Sequence, residues 1–247
     1  MEQWIEGKVV EKRRWSDGLY SLRFQAPVEP FSAGQFTRLA LEIDGERVAR
    51  PYSFVNPPGD MLLEVYFNEV LDGPLSPRLA ALKPGDNLWV SARPNGFFTL
   101  DQLPDSENLW MIATGTALGV YLSILRTERA WQRFRHLVLV HNVRTADQLS
   151  YSEEITALQT AHGKNFHYLP ITSREASKGM LHGRILAALE DGRLEQQAGL
   201  KLSADDSHVM LCGNMDMIRE VSERLEARGM RKHRRKEPGH YTTEKYH

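Results

Sequence analysis

The 247-residue chain is poor in residues that build covalent or metal cross-links, with one cysteine, Cys212, and nine scattered histidines. A single thiol excludes an intramolecular disulfide, and one cysteine among dispersed histidines cannot assemble a thiolate zinc site, so no metal is expected. This cysteine usage fits a reducing compartment, and a cytoplasmic location is expected. Long hydrophobic runs are lacking too. The most apolar stretch, Leu109 to Leu125, is interrupted by Thr114, Gly115, Thr116, Gly119 and Ser123. It falls short of the ~20 apolar residues of a membrane helix, so no membrane association is expected. Residues 1–7 have no basic start followed by an apolar run and do not read as a signal peptide. Nor is there an excess of one charge. The 31 Lys and Arg against 32 Asp and Glu leave a formal net charge of −1, which names no polyanionic partner, and no specific nucleic acid is expected.

What is present is a folded chain, 41% hydrophobic and 26% charged, long enough for two domains of ordinary size. Its two halves have different rhythms. Up to residue 99, short runs rich in Val, Leu, Phe and Tyr (7–14, 19–25, 36–43, 47–55, 62–70 and 87–92) are separated by turn signals, Asp44-Gly45 among them. They predict an antiparallel barrel or sandwich, with one short helix over 75–82. From residue 100 onward, strands alternate with helices. Strands are expected at 109–113, 137–140, 166–171 and 209–212, and helices at 118–134, 150–161 and 216–228. This alternation argues a parallel doubly wound sheet. The expected division is therefore 1–99 and 100–247, with the change at Asn95 to Thr99.

Six segments carry candidate chemistry. In Arg50-Pro51-Tyr52-Ser53, a guanidinium can grip a diphosphate, a tyrosine can offer its face to a flat ring, and a hydroxyl can bond a ring nitrogen. The same run also reads as an ordinary strand with a surface arginine. Asp72-Gly73-Pro74-Leu75-Ser76-Pro77 opens a short helix, either as an anion cradle or as a plain cap. Thr114-Gly115-Thr116-Ala117-Leu118-Gly119 follows a strand and opens a helix, where a doubly wound sheet binds a dinucleotide, although it is not G-x-G-x-x-G. Arg144, Arg174 and Arg184 follow successive strands, where an arginine suits a 2′-phosphate; scattered arginines are also ordinary surface charge. Leu211-Cys212-Gly213-Asn214 ends a strand, where its cysteine could touch a ligand or be inert core. The last segment is the tail Thr242-Thr243-Glu244-Lys245-Tyr246-His247, which can fray or dock its aromatics on something flat.

In order and spacing these segments resemble the ferredoxin–NADP reductase family, and more closely its bacterial ferredoxin/flavodoxin–NADP reductases. The resemblance runs nearly end to end. It implies an N-terminal FAD-binding β-barrel and a C-terminal NADP-binding α/β domain whose tail reaches the flavin. By resemblance, Arg50 would bind FAD phosphate, Tyr52 would stack on the isoalloxazine with Ser53 near flavin N5, and Pro51 would belong to the same cofactor-binding run. Tyr66, Phe67 and Asn68 would line the flavin, and Gly73, Pro74, Leu75 and Ser76 would cradle its diphosphate. Thr116 would lie near both cofactors. Asn142, Val143, Arg144, Ser173, Arg174 and Arg184 would serve the NADP(H) end, the arginines gripping the 2′-phosphate. Cys212 would flank the nicotinamide, and Asn214 would be a further cofactor-binding residue. Tyr246 would cover the flavin and have to move aside for nicotinamide, while Glu244 would relay protons. Val120 and Met215 stand where many relatives have proline. His247 stands where close relatives can carry tryptophan, and it offers less area to stack on adenine.

The activity so implied is hydride transfer between nicotinamide C4 and flavin N5, followed by one-electron exchange with ferredoxin or flavodoxin. Ser53, Cys212, Glu244 and Tyr246 would be its catalytic residues, in a monomer. Two rivals share much of this chemistry: an NAD(P)H-dependent flavin or oxidase-linked reductase, and a flavin-bearing electron-transfer subunit. The basic run Arg228 to Lys236 is expected to attract an acidic redox protein.

Overall fold

The computed structural model describes residues 3–246. Two compact units divide the chain: Met1–Leu100 with Gly119–Thr127, and Asp101–Leu118 with Glu128–His247.

In the first unit, strands β1 (Trp4–Ser16), β2 (Leu19–Gln25), β3 (Phe36–Ile43), β4 (Glu46–Ser53) and β5 (Leu63–Asn68) precede helix α1 (Ser76–Ala81) and strand β6 (Asn87–Ser91). They form one antiparallel sheet in the order β4-β3-β6-β1-β2-β5. The sheet curls until its two outer strands meet. Phe54, just past β4, bridges Val65 of β5, and Val55 N–H donates to Glu64 O at 2.8 Å. This bridge closes the sheet at one end of the seam and leaves an interior for side chains. Alternation selects them: on β1, Gly7 and Val9 are buried while Lys8 and Val10 are exposed. The interior holds Val9, Leu22, Phe24, Leu39, Phe54, Val65, Leu79 and Val90. The Asp44-Gly45 signal forms the β3–β4 hairpin, with φ of +52° and +83° and with Ile43 paired to Glu46. Two positive φ angles give the turn a twist that matches its strands.

The rest of the chain runs β7 (Asn108–Thr114), α2 (Leu118–Leu125), α3 (Glu128–Arg133), β8 (His136–Val143), α4 (Ser152–His162), β9 (Phe166–Thr172), β10 (Leu181–His182), α5 (Ile185–Glu190), α6 (Arg193–Ala198), β11 (Ser207–Gly213), α7 (Met215–Ala227) and β12 (Tyr241–Lys245). The sheet is parallel, in the order β10-β9-β8-β7-β11-β12. From β7 the chain winds outward through β8, β9 and β10. It then returns to lay β11 and β12 on the other side of β7. Every residue of β11 is buried, as in a strand covered on both faces.

Two segments differ from the sequence expectation. The single helix expected over 118–134 is two helices. Thr127 closes the first, with its N–H and its Oγ1 both donating to Ile124 O at 3.0 and 2.7 Å. Arg126 is drawn onto the barrel, donating to Val55 O at 2.9 Å and pairing with Glu64 at 3.1 Å. This is why Gly119–Thr127 belongs to the first unit. The tail, in turn, is mostly strand: β12 pairs in parallel with β11, satisfying an edge that would otherwise leave backbone groups open. Among the described residues, no helix is long and apolar enough to cross a membrane.

Candidate functional site

On the barrel, Arg50, Pro51, Tyr52 and Ser53 lie on β4, one of the two outer strands of the sheet. An outer strand tolerates Pro51, because the missing N–H leaves no central ladder bond unmade. Arg50 is exposed and its Nη1 donates to Ala49 O at 2.8 Å, while Tyr52 is half-buried and Ser53 is buried. Beyond the Phe54–Val65 bridge, β4 and β5 share no ladder among the described residues, so the barrel seam is open there. Tyr52 and Ser53 line one side, Tyr66, Phe67 and Asn68 the other. The rings of Tyr52 and Phe67 meet edge-on, with centroids 5.8 Å apart at 75°. Burial pushes the Tyr52 phenol up to about 12 against the opposing pull of the Arg50 charge, so the ring stays neutral. After β5 the chain turns tightly. Gly73 N–H donates to Val70 O at 2.8 Å, and Val70 N–H donates to Ser76 Oγ at 2.9 Å. A Cβ on Gly73 would sit 3.0 Å from Val70 O, so glycine suits the turn. Leu75 is buried beneath it, and Pro74 O accepts from Arg78 at 2.8 Å.

In the parallel sheet, the strand order reverses between β7 and β11. The carboxyl ends flanking such a reversal form a crevice where α/β sheets bind ligands. Here those ends are Thr114-Gly115-Thr116 and Cys212-Gly213-Asn214. They are pressed together: a Cβ on Gly213, at φ +129°, would lie 2.1 Å from Thr114 Oγ1. Thr114 Oγ1 accepts from Asn214 N–H at 2.8 Å. Asn214 also caps α7, its Oδ1 accepting from Asp216 N–H and Met217 N–H at 2.9 and 3.2 Å. Beneath the turn lies His141, which sequence reasoning missed. Burial lowers it to about 4, so it is neutral. Its Nε2–H donates to Gly115 O at 3.0 Å, which leaves Nδ1 to accept from the Tyr168 hydroxyl at 3.4 Å. A histidine at strand spacing behind a glycine turn was the available signal.

The neighbouring strand ends carry the other residues. Arg174 N–H donates to Arg144 O at 2.9 Å, and Ser173 N–H and Oγ reach Val143 O at 3.0 and 3.2 Å. Asn142 Nδ2 donates to Ile171 O at 3.2 Å and Gly183 O at 3.4 Å. Arg144 and Arg174 are thus side by side. Arg184 caps α5 from the next loop but turns its guanidinium to Glu220, 3.2 Å away. On the other side of β11, Cys212 pairs in register with Glu244, and Tyr246 N–H donates to Gly213 O at 3.1 Å. Burial pushes the Cys212 thiol well up, the Glu244 charge adds to this, and a hydrogen bond with the Tyr246 side chain opposes it. Burial also lifts the Glu244 carboxyl to about 7. Each unit therefore gathers its own set. The barrel seam brings together Arg50 to Ser53 with Tyr66 to Asn68. The carboxyl edge of the sheet holds Thr116, Cys212, Asn214, Glu244 and Tyr246, with the arginine ends beside them. His247 lies outside the described residues.

A doubly wound unit with paired glycine turns at its switch point defines the class of dinucleotide-binding oxidoreductase domains. In agreement, the family described as "Oxidoreductase NAD-binding domain" matches residues 111–223. The chain is 52% identical over 221 residues to a flavodoxin/ferredoxin–NADP reductase of Shigella flexneri, covering 90% of this chain and 89% of that protein. It is 51% identical over 221 residues to the flavodoxin/ferredoxin–NADP reductase of Escherichia coli K12, with the same coverage. The crystal structure of a ferredoxin NADP+ reductase from Neisseria gonorrhoeae with bound FAD and NADP superposes with a TM-score of 0.94, covering 99% of both chains at 29% identity. The chain belongs to the flavodoxin/ferredoxin–NADP reductase family.

Proposed function

We propose that this chain is an FAD-dependent oxidoreductase that passes electrons between NADP(H) and ferredoxin or flavodoxin. The observation that carries this reading is the pairing, in one member of this reductase family, of an open aromatic barrel seam with a switch-point crevice. The seam fits a flavin, because Tyr52 offers a neutral ring and Arg50 supplies a fork for a diphosphate. The Val70–Ser76 turn, with its buried Leu75, suits the same diphosphate. The crevice fits a nicotinamide coenzyme, since Gly213 lets the backbone approach closely, as a side chain there could not. When bound, FAD exchanges a hydride with nicotinamide and single electrons with a protein partner.

The chain's own residues do the rest. Tyr52 and Ser53 orient the ring from the seam. Thr116 and the Cys212–Asn214 turn would seat the nicotinamide end, with Tyr246 beside them on the same sheet edge. Glu244, lifted to about 7, holds or gives up a proton near neutral pH at little cost in free energy. Arg144, Arg174 and Arg184 supply charge to a 2′-phosphate and so set the preference for NADP(H). The basic run Arg228–Lys236 attracts the acidic partner. It leads into the amino end of β12, opposite the edge that holds Glu244, with Lys232 bridged to Tyr241. Its part is therefore to add to the steering field. The enzyme is proposed to act as a monomer in the cytoplasm, where its single buried thiol stays reduced.

Stopped-flow reduction of the bound flavin by NADPH and by NADH, followed by mixing with flavodoxin, tests the reading. NADPH should be clearly the faster donor, and flavodoxin should reoxidise the flavin. Equal rates with the two coenzymes, or a flavin that flavodoxin cannot reoxidise, would sink it.

A further inference from the structure

The charges around the arginine-bearing strand ends are not all positive, and one carboxylate stands where it competes with the coenzyme. Arg144 and Arg174 have no acidic side chain within ion-pair distance among the described residues, whereas Arg184 Nη2 lies 3.2 Å from Glu220 Oε1. The Arg184 side chain is 69% exposed and that of Glu220 only 20%, so the guanidinium is the partner with room to move. Arg184 is fixed at its backbone as the cap of α5, and only its side chain decides where the charge goes. Among the described residues, Glu220 has one other cation nearby, Arg219 at 4.0 Å, which is shared with Asp216 and Glu223 at 3.5 and 3.7 Å. Two more carboxylates lie in these loops: Asp147, exposed and without an ion pair among the described residues, and Glu175, which is already committed. It accepts from Ala146 N–H at 2.6 Å and Ser177 Oγ at 3.4 Å.

We propose that Glu220 is a specificity-determining positioning residue: it holds the Arg184 guanidinium in the absence of a 2′-phosphate and competes with that phosphate for it. The inference rests on the reading that Arg184 serves the 2′-phosphate. An ion pair this exposed is weak. A phosphate dianion that accepts two parallel hydrogen bonds from the same fork is a stronger partner. The phosphate therefore wins Arg184, but its affinity is reduced by what the Glu220 pair was worth and by the repulsion of a nearby carboxylate. A ligand without the 2′-phosphate leaves the pair intact and gains nothing when Glu220 is neutralised. Glu220 thus weakens the phosphorylated coenzyme selectively, which keeps its release easy.

The test is calorimetric binding of 2′,5′-ADP and of 5′-AMP to the full-length, flavin-loaded protein and to E220Q, R184Q and the double variant. E220Q should bind 2′,5′-ADP about threefold tighter, the scale of an exposed ion pair, with 5′-AMP unchanged. The gain should vanish in the R184Q background. If R184Q weakens 2′,5′-ADP but E220Q does not tighten it, or tightens both ligands alike, the role of Glu220 is overturned while the 2′-phosphate reading stands. If R184Q leaves 2′,5′-ADP affinity at the wild-type value, the reading of Arg184 itself fails, and the inference with it.

Discussion

Glu244 shows how a single residue acquires its chemistry from its surroundings. A carboxyl in a flexible tail would ionise near its ordinary value of 4.5; in β12, packed beside the buried Cys212, it rises to about 7 through loss of solvent. The shift links stability to pH. Below the unfolded value both states are protonated and the group contributes fully. As pH climbs toward 7, the unfolded chain releases its proton first, and stability is lost until the folded carboxyl also ionises. E244Q cannot ionise, so it should match wild type near pH 4.5 and exceed it at pH 8 by on the order of 3 kcal/mol. Thermal midpoints across that range decide the matter; parallel curves would mean that Glu244 is solvated in the fold. Neither this shift nor the neutral state of His141 was legible in the sequence, because both come from desolvation by strands distant in the chain. Glycine was legible as a turn signal at 213, yet the reason for it, Thr114 pressed against it, was not.

Among the elements, α2 carries the least expected result. Its apolar run and the polar α3 stretch after it read as one continuous helix, since periodicity sees only the face each turn presents. What divides them is the barrel. Ser123 Oγ donates to Asn56 O at 2.8 Å, and Arg126 reaches Val55 O and Glu64. With 22% and 8% side-chain exposure, the Arg126–Glu64 pair is largely out of water. Removing one partner of such a pair strands the other charge, which costs more than the pair itself contributes. R126M should therefore lower the unfolding free energy by about 3 kcal/mol in a urea titration. Adding E64L should recover part of the loss by removing the stranded charge. A stable R126M protein would show that Glu64 is solvated after all. The strands were easier to read than the helices, because each run is either alternating, as on β1, or continuously apolar, as on β11. The short elements β10, α5 and α6 left no comparable signal, each spanning too few residues for a period to show.

At the scale of the whole molecule, a formal net charge of −1 conceals an uneven distribution. Residues 231, 232, 234, 235 and 236 are all basic and all exposed, between α7 and β12. A patch of this kind acts through its field, which salt screens over about 8 Å at physiological ionic strength. Flavodoxin reduction should therefore slow as salt is added, and reversing the charge of Lys232, Arg235 and Lys236 together should flatten that dependence. A wild-type rate indifferent to salt would remove the patch from partner recognition. The barrel sets Arg50 to Ser53 across from Tyr66 to Asn68, and the parallel sheet sets Arg144 beside Arg174. Residue patterns alone show neither juxtaposition.

By itself the sequence determined the local grammar: two halves of different rhythm, the Asp44-Gly45 hairpin, the glycine turns after β7 and β11, and the single cysteine that rules out a disulfide. These follow from backbone sterics and side-chain periodicity within a few residues. Only the tertiary structure decided which distant groups meet. It opened the barrel seam beside Tyr52, set Thr114 against Asn214 across 100 residues of chain, drew Gly119–Thr127 onto the barrel, and gave Arg184 to Glu220. Each of these depends on register, closure and burial, which are properties of the packed chain and have no counterpart in any short stretch of it.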